Sequence, residues 1–161
     1  MRRLLAACLG MLIAAATLHA AQPLQYKWSD EWSSSISCGA FDLIENQSGT
    51  FHIFYFYAND GTLRDGRLHQ QIDIEIYREG HPNNVLLGRM SNIQHVPFED
   101  GNLTGVEITG VNIKVNVPGY GHLYFDAGHA YLDADFNVTL LRGANHDLLL
   151  GQTDALCAYF Q

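Results

Sequence analysis

The chain is short of cations. Nine Lys and Arg face 17 Asp and Glu over 161 residues, a formal charge of −8, and without Arg2 and Arg3 only seven basic residues remain. That balance repels phosphate backbones and anionic lipid headgroups, so a nucleic-acid partner and a polybasic mode of membrane attachment are excluded. Beyond residue 20 no segment approaches the roughly 18 to 20 apolar residues needed to span a bilayer, which argues against membrane insertion. No stretch keeps an amphipathic helical period long enough to cover a sheet. Gly-x-Ser-x-Gly, a phosphate-binding loop, a dinucleotide fingerprint, Cys-x-x-Cys and His-x-His are all missing, and with them any motif-borne reason to expect a cofactor, a metal or a nucleophilic enzyme.

Cysteine is rare, and its three positions are informative. Arg2 and Arg3 precede an apolar run from Leu4 to Leu18 that exits through Leu18-His19-Ala20, the layout of a secretory signal peptide over residues 1–20. Leu5-Ala6-Ala7-Cys8 has the look of a lipidation box, but it lies near the start of the apolar run, and a true box follows the run. Cys8 therefore leaves with the leader. Cys38 and Cys157 remain, near opposite ends of a secreted or periplasmic chain, and are expected to pair in that oxidising compartment. In a chain of sequential strands, first beside last means closure.

What the chain has in abundance is alternation. Residues 21–35 are polar and read as a loose lead-in, with Trp28 and Trp32 anchoring it to a single domain over 36–161. Strands are expected at 36–45 and 50–57, with Asn46-Gln47-Ser48-Gly49 as the turn between them, then at about 67–77 and 85–96. Gly105 to Val117 is the longest alternating run, and its apolar parity changes near Thr109-Gly110, the mark of a β-bulge. Further strands are expected at 122–127 and, after Gly128, over Ala130 to Leu140 with Ala130, Leu132, Ala134, Phe136, Val138 and Leu140 inward. Thr153 to Phe160 reads equally as strand or short helix. About eight strands joined by short turns predict an all-β, antiparallel up-and-down meander. A closed barrel of lipocalin-like or dirigent-like architecture is expected, with a β-sandwich as the alternative.

The Cys38-Gly39 opening, the Gly121-His-Leu-Tyr-Phe-Asp-Ala-Gly128 segment and the Asp154-Ala-Leu-Cys-Ala158 close resemble a loosely defined set of small secreted bacterial proteins. The resemblance covers about residues 38–160. It implies a β-rich fold with paired cysteines; the set has no assigned activity, so the resemblance gives none and assigns no residue a catalytic role.

Candidate chemistry gathers in two places. Thr50 to Tyr57 is aromatic on both faces, with Phe51, Ile53, Tyr55 and Tyr57 on one and His52, Phe54 and Phe56 on the other. His122, Tyr124 and Asp126 alternate on a short strand. Phe54, Tyr55, Phe56, Tyr57, His122, Tyr124 and Asp126 are thus the candidate ligand-binding set, for a small apolar or amphipathic molecule held in the interior or mouth of the barrel. The plainer reading is that the aromatics fill the core. An isomerase-, cyclase- or hydrolase-type enzyme using His122, Tyr124 and Asp126 is one alternative; a protein-interaction module is another. His122, Asp126 and His129 are the densest metal candidates, and Asp133-x-Asp135-x-Asn137 resembles the start of a calcium loop without its glycine or closing glutamate. Ordinary solvent-facing or hydrogen-bonded histidines, and a strand face turned to water, account for both more simply. Asp73 and Glu75 read as the wet side of a strand.

Overall fold

The computed structural model describes residues 22–117, 119 and 121–161. The expected leader, and Pro118 and Tyr120 between the expected strands at 105–117 and 122–127, lie outside the described residues. The fold is all-β. Among the described residues, strands β1 (Leu24–Ser37), β2 (Asp42–Tyr57), β3 (Leu63–Arg78), β4 (Val85–Glu99), β5 (Asn102–Leu103), β6 (Gly105–Val117), β7 (Gly121–Asp133) and β8 (Val138–His146) precede one helix, α1 (Asp154–Tyr159). They form one antiparallel meander in the order β1-β2-β3-β4-β6-β7-β8, with the two-residue β5 paired to β4.

The alternation of β3 shows what drives the sheet. Ile72, Ile74 and Ile76 are buried, while Asp73 and Glu75 between them are exposed. Each buried isoleucine contributes about 1.5–3 kcal/mol through the apolar area it removes from water. The inner face of the sheet carries these residues together with Leu43, Leu86, Ile113, Val115, Val117 and Tyr124. Leu156 and Phe160 complete the cluster from α1 and the residue that follows it. A second, smaller cluster joins Val106 and Ile108 of β6 to Ala130 and Leu132 of β7.

Several expectations are corrected. Residues 24–37 are a strand and not a lead-in: β1 is an edge strand whose outer face is wet, and all of its fourteen residues except the half-buried Trp32 and Ile36 are exposed. Its composition is polar because one side packs nothing, yet Ser33 and Ser34 are tied to Asn46 and Glu45 of β2. Asn46 to Gly49 is therefore no turn. It pairs with both β1 and β3, and the chain reverses at residues 38–41 instead. Gly49 sits under the Phe51 ring, where an added Cβ would lie 2.8 Å from the ring carbons, so this glycine serves a close approach and not a bend.

Gly128 likewise does not break its strand. Gly110 and Gly128 pair across β6 and β7, both at positive φ (127° and 140°), and a Cβ on Gly128 would strike the Arg142 carbonyl. The reversal comes at residues 134–137, where Phe136 adopts φ 63° and is 62% exposed instead of facing inward.

Among the described residues the expected closure is not made. β1 and β8 are the two ends of the ladder, so the sheet is open, and one continuous ladder is equally not a sandwich of two sheets. Cys38 and Cys157 do pair, with Cα atoms 5.5 Å apart across 119 residues of sequence. The disulfide, however, fastens α1 and not a closing strand to the turn after β1. Leu156, fully buried, is the plug that this tether holds against the inner face, and Arg78 adds a hydrogen bond to the Phe160 carbonyl at 3.2 Å. Thr153 precedes the helix but makes no side-chain cap. Among the described residues no helix is long and apolar enough to cross a membrane. That and the disulfide are compatible with an extracellular location.

Candidate functional site

The bulge expected near Gly110 lies two residues on. Val111 pairs with Ala127 and Ile113 with Asp126, so Asn112 is the extra residue, and it is turned into the interior with 3% of its surface exposed. There it joins a row of polar side chains across five strands. Gln70 Nε2 donates to Asn92 Oδ1 (2.9 Å), Asn92 Nδ2 to Asn112 Oδ1 (3.0 Å), and Asn112 Nδ2 to Asp126 Oδ1 (2.8 Å). His146 Nδ1 lies 3.3 Å from the same Asp126 oxygen, and the Leu149 N–H donates to the other at 2.9 Å. Along the chain the row falls between the two apolar clusters. A one-residue slip of any strand in it would orphan buried amides or the carboxylate, so the row specifies register. His146 Nε2 is buried without a hydrogen-bond partner among the described residues.

Of the expected site residues, Tyr124 and Asp126 do face inward, and both are buried. His122 does not join them. The β6–β7 register slips between Val115 and Asn116, which leaves Leu123 as an extra residue and turns His122 out to stack on Phe125 at 4.6 Å and to meet Asn116. The three therefore form no common face. Burial, reinforced by the negative charges of Glu45, Asp147 and Asp126, pushes the Tyr124 hydroxyl up to about 12, so it stays protonated at neutral pH.

The aromatic strand splits as its alternation requires. Tyr55 and Tyr57 take the inner face with Phe51, while Phe54 and Phe56 take the outer. On the inner face Trp28 stacks on Phe51 (5.0 Å, 14°) and Tyr26 meets Tyr55 edge-on (6.3 Å). Phe51 is packed against the larger core cluster; beyond it toward the β1 start, Trp28, Tyr26 and Leu24 are 43%, 53% and 46% exposed. The core thus runs out into an open aromatic shelf. On the outer face Phe54 lies against His52 (3.9 Å) and His69 (5.5 Å), and Arg67 lies over Phe56.

The outer face also carries a chain of charges over four strands. His95 Nε2 is 2.7 Å from Asp65 and its Nδ1 3.2 Å from Glu107, whose other oxygen is 3.5 Å from His129. Among the described residues no three His, Cys, Asp or Glu side chains are arranged to hold a metal ion. Asp126 is buried on the inner face while His122 and His129 lie on the outer face, so the three do not converge. In the calcium-like segment Asp133 ends β7, and its carboxylate accepts the backbone N–H groups of Asp135 and Asn137 (3.0 and 2.9 Å). The hydrogen bonds from Asn137, first its backbone and then its side chain, hold Asp133 below the usual carboxylate range.

Asn92, Asn112 and His146 escape a reading by residue type, because none belongs to a catalytic motif. One signal was present: Gln70 falls on the apolar side of β3, in line with Leu68 and Ile72. A polar residue on a buried face needs a partner. No family model matches this chain, and no curated protein or solved structure matches it.

Proposed function

We propose that the protein is an exported, non-catalytic binding module that holds a small amphipathic or apolar molecule against the aromatic shelf of β1 and β2. The observation that carries this reading is the exposure of Leu24, Tyr26 and Trp28 on the face where, a few residues away, the same alternation is packed in the core. Roughly half of three such side chains leaves on the order of 300 Å² of apolar surface open, in the range at which patches on soluble proteins are functional. A flat apolar ligand on Trp28 would extend the stack that Trp28 already makes with Phe51. The shelf takes over the role expected of a barrel mouth. Export is supported by the signal-like residues 1–20 and by the disulfide. Phe136, Val138 and Leu140, exposed on the hairpin at the opposite edge, favour a protein-interaction module as the second reading.

The test is native mass spectrometry of protein purified from its secreting host, followed by tryptophan-fluorescence titration with the extracted ligand. Trp28→Ala is expected to weaken binding by about tenfold or more while the circular dichroism spectrum is kept. A protein that arrives empty and gives no Trp28 response to a lipid extract would overturn this reading in favour of the second.

A further inference from the structure

A groove of about 870 Å³ crosses strands β1, β2, β3, β4 and β6. It is lined by three consecutive residues from each of the first four strands, such as Lys27-Trp28-Ser29 and His69-Gln70-Gln71. The middle residue of each triplet turns its side chain to the inner face, so the groove lies on the outer face. Its floor is backbone, and its walls are the flanking side chains. Crossing five strands makes it about 20 Å long, and walls two residues apart make it about 7 Å wide.

Its charge is unusual for this chain. No Asp or Glu lines it, although the protein has 17 of them, whereas Lys27, His52 and His69 stand in register on β1, β2 and β3. A neighbouring groove of about 630 Å³ on the same strands is lined by Glu31, Asp73 and Glu75 and provides an internal contrast. The acids that flank the groove on the outer face are Glu31 and Asp73 beside Ser29 and Gln71, and Glu107 beside Thr109; Arg89 lies 3.9 Å from Asp73, and His95 and His129 take up Glu107. The His52 ring is fixed by Gln25 at 2.9 Å and by Phe54. It is held below the usual imidazole range by desolvation, then by the charges of Lys27 and His69. An anion set among these three groups would relieve their mutual repulsion.

The rest of the walls is neutral: Ser29, Thr50, Gln71, Ser91 and Thr109 offer hydrogen bonds, and Ile93, between His69 and Thr109, is the one exposed apolar side chain among them. A peptide laid across the strands would find the sheet's backbone groups already committed to ladders, and would gain nothing from strand addition. A molecule with hydroxyl groups along its length has partners along the whole Ser29, Thr50, Gln71 and Ser91 wall, and Ile93 opposite offers contact to an apolar sugar face. A long polyanion would be repelled by the net charge of −8, whereas a short one meets only the local field. From this geometry we infer that the outer groove binds a short acidic oligosaccharide, with a carboxylate at the Lys27, His52 and His69 end and hydroxyls along the Ser, Thr and Gln walls. The site is independent of the aromatic shelf, which lies on the other face of the same strands.

The test is a two-dimensional NMR titration with tetragalacturonate, with cellotetraose, inorganic phosphate and tetraglutamate as comparisons. Tetragalacturonate is expected to shift the amides of Lys27, His52, His69 and Thr109, and to bind about tenfold more tightly than cellotetraose. Its affinity should rise from pH 8 to about pH 5.5 as imidazoles gain charge. Lys27→Glu should lose about tenfold in affinity, and Trp28→Ala should lose none. Equal binding of cellotetraose would overturn the acidic part of the inference. Saturation of the same residues by phosphate at the affinity of tetragalacturonate would show an isolated anion site, and tighter binding of tetraglutamate a peptide site; either overturns the saccharide. No response to any of the four overturns it entirely.

Discussion

Two carboxylate–histidine contacts of almost the same length sit on opposite faces of one sheet. Asp126 and His146 lie 3.3 Å apart on the inner face, with side chains 0% and 9% exposed; Glu107 and His95 lie 3.2 Å apart on the outer face, 40% and 38% exposed. Distance does not distinguish them, but burial does. The outer pair competes with water and salt for each partner, and such contacts contribute about 0–1 kcal/mol. The inner pair has no water to fall back on, and Asp126 is also the acceptor for Asn112 and Leu149. Losing one member there leaves several buried polar groups unpaired, which costs far more than the pair contributes.

The largest effect is therefore expected from Asp126→Ala, which should destabilise by about 3–5 kcal/mol in urea unfolding. A loss below about 1 kcal/mol would mean that the inner row is open to water and that the contrast between the faces fails. Removing the disulfide by Cys157→Ser should cost about 2–5 kcal/mol through the 119-residue separation that it bridges. It should also raise amide exchange at Ile113 and Tyr124, because Leu156 is no longer held against the inner face. Unchanged exchange would show that α1 stays docked without its tether.

Tyr124 sharpens the inner side of the comparison through pH. Its folded-state pKa, about 12, is above its ordinary value of 10.0, so above that ordinary value the unfolded chain gives up the proton more readily. Stability should be level below about pH 10, fall between about pH 10 and 12, and level off beyond. Tyr124→Phe should remove that slope from the urea midpoint. The smallest effect is expected on the outer face: Glu107→Gln should cost less than about 1 kcal/mol, and a double-mutant cycle with His95→Gln should give a coupling that shrinks in high salt.

Much of the fold was legible because it rests on local chemistry. The period-two alternation of residues 67–77 and a bulge within β6 both follow from side-chain type and glycine placement. The aromatic shelf was half legible: Tyr55 and Tyr57 were on the candidate list, but β1, which supplies Tyr26 and Trp28, reads as polar because an edge strand has little to bury. His122 was drawn into the candidate set by a strict alternation that one extra residue, Leu123, undoes. The buried row was the least legible part, since it needs five strands in one register before Gln70 and His146 become members of the same structure.

The amino-acid sequence by itself determined an antiparallel all-β meander and the pairing of Cys38 with Cys157, because alternation and oxidation act on residues as they come. Only the tertiary structure decided that the sheet stays open, that α1 and not a closing strand meets Cys38, and that Asn112 turns inward. Those outcomes depend on which strand finds which neighbour and where one extra residue is absorbed. Both are settled by packing and buried hydrogen bonds between segments far apart in the chain.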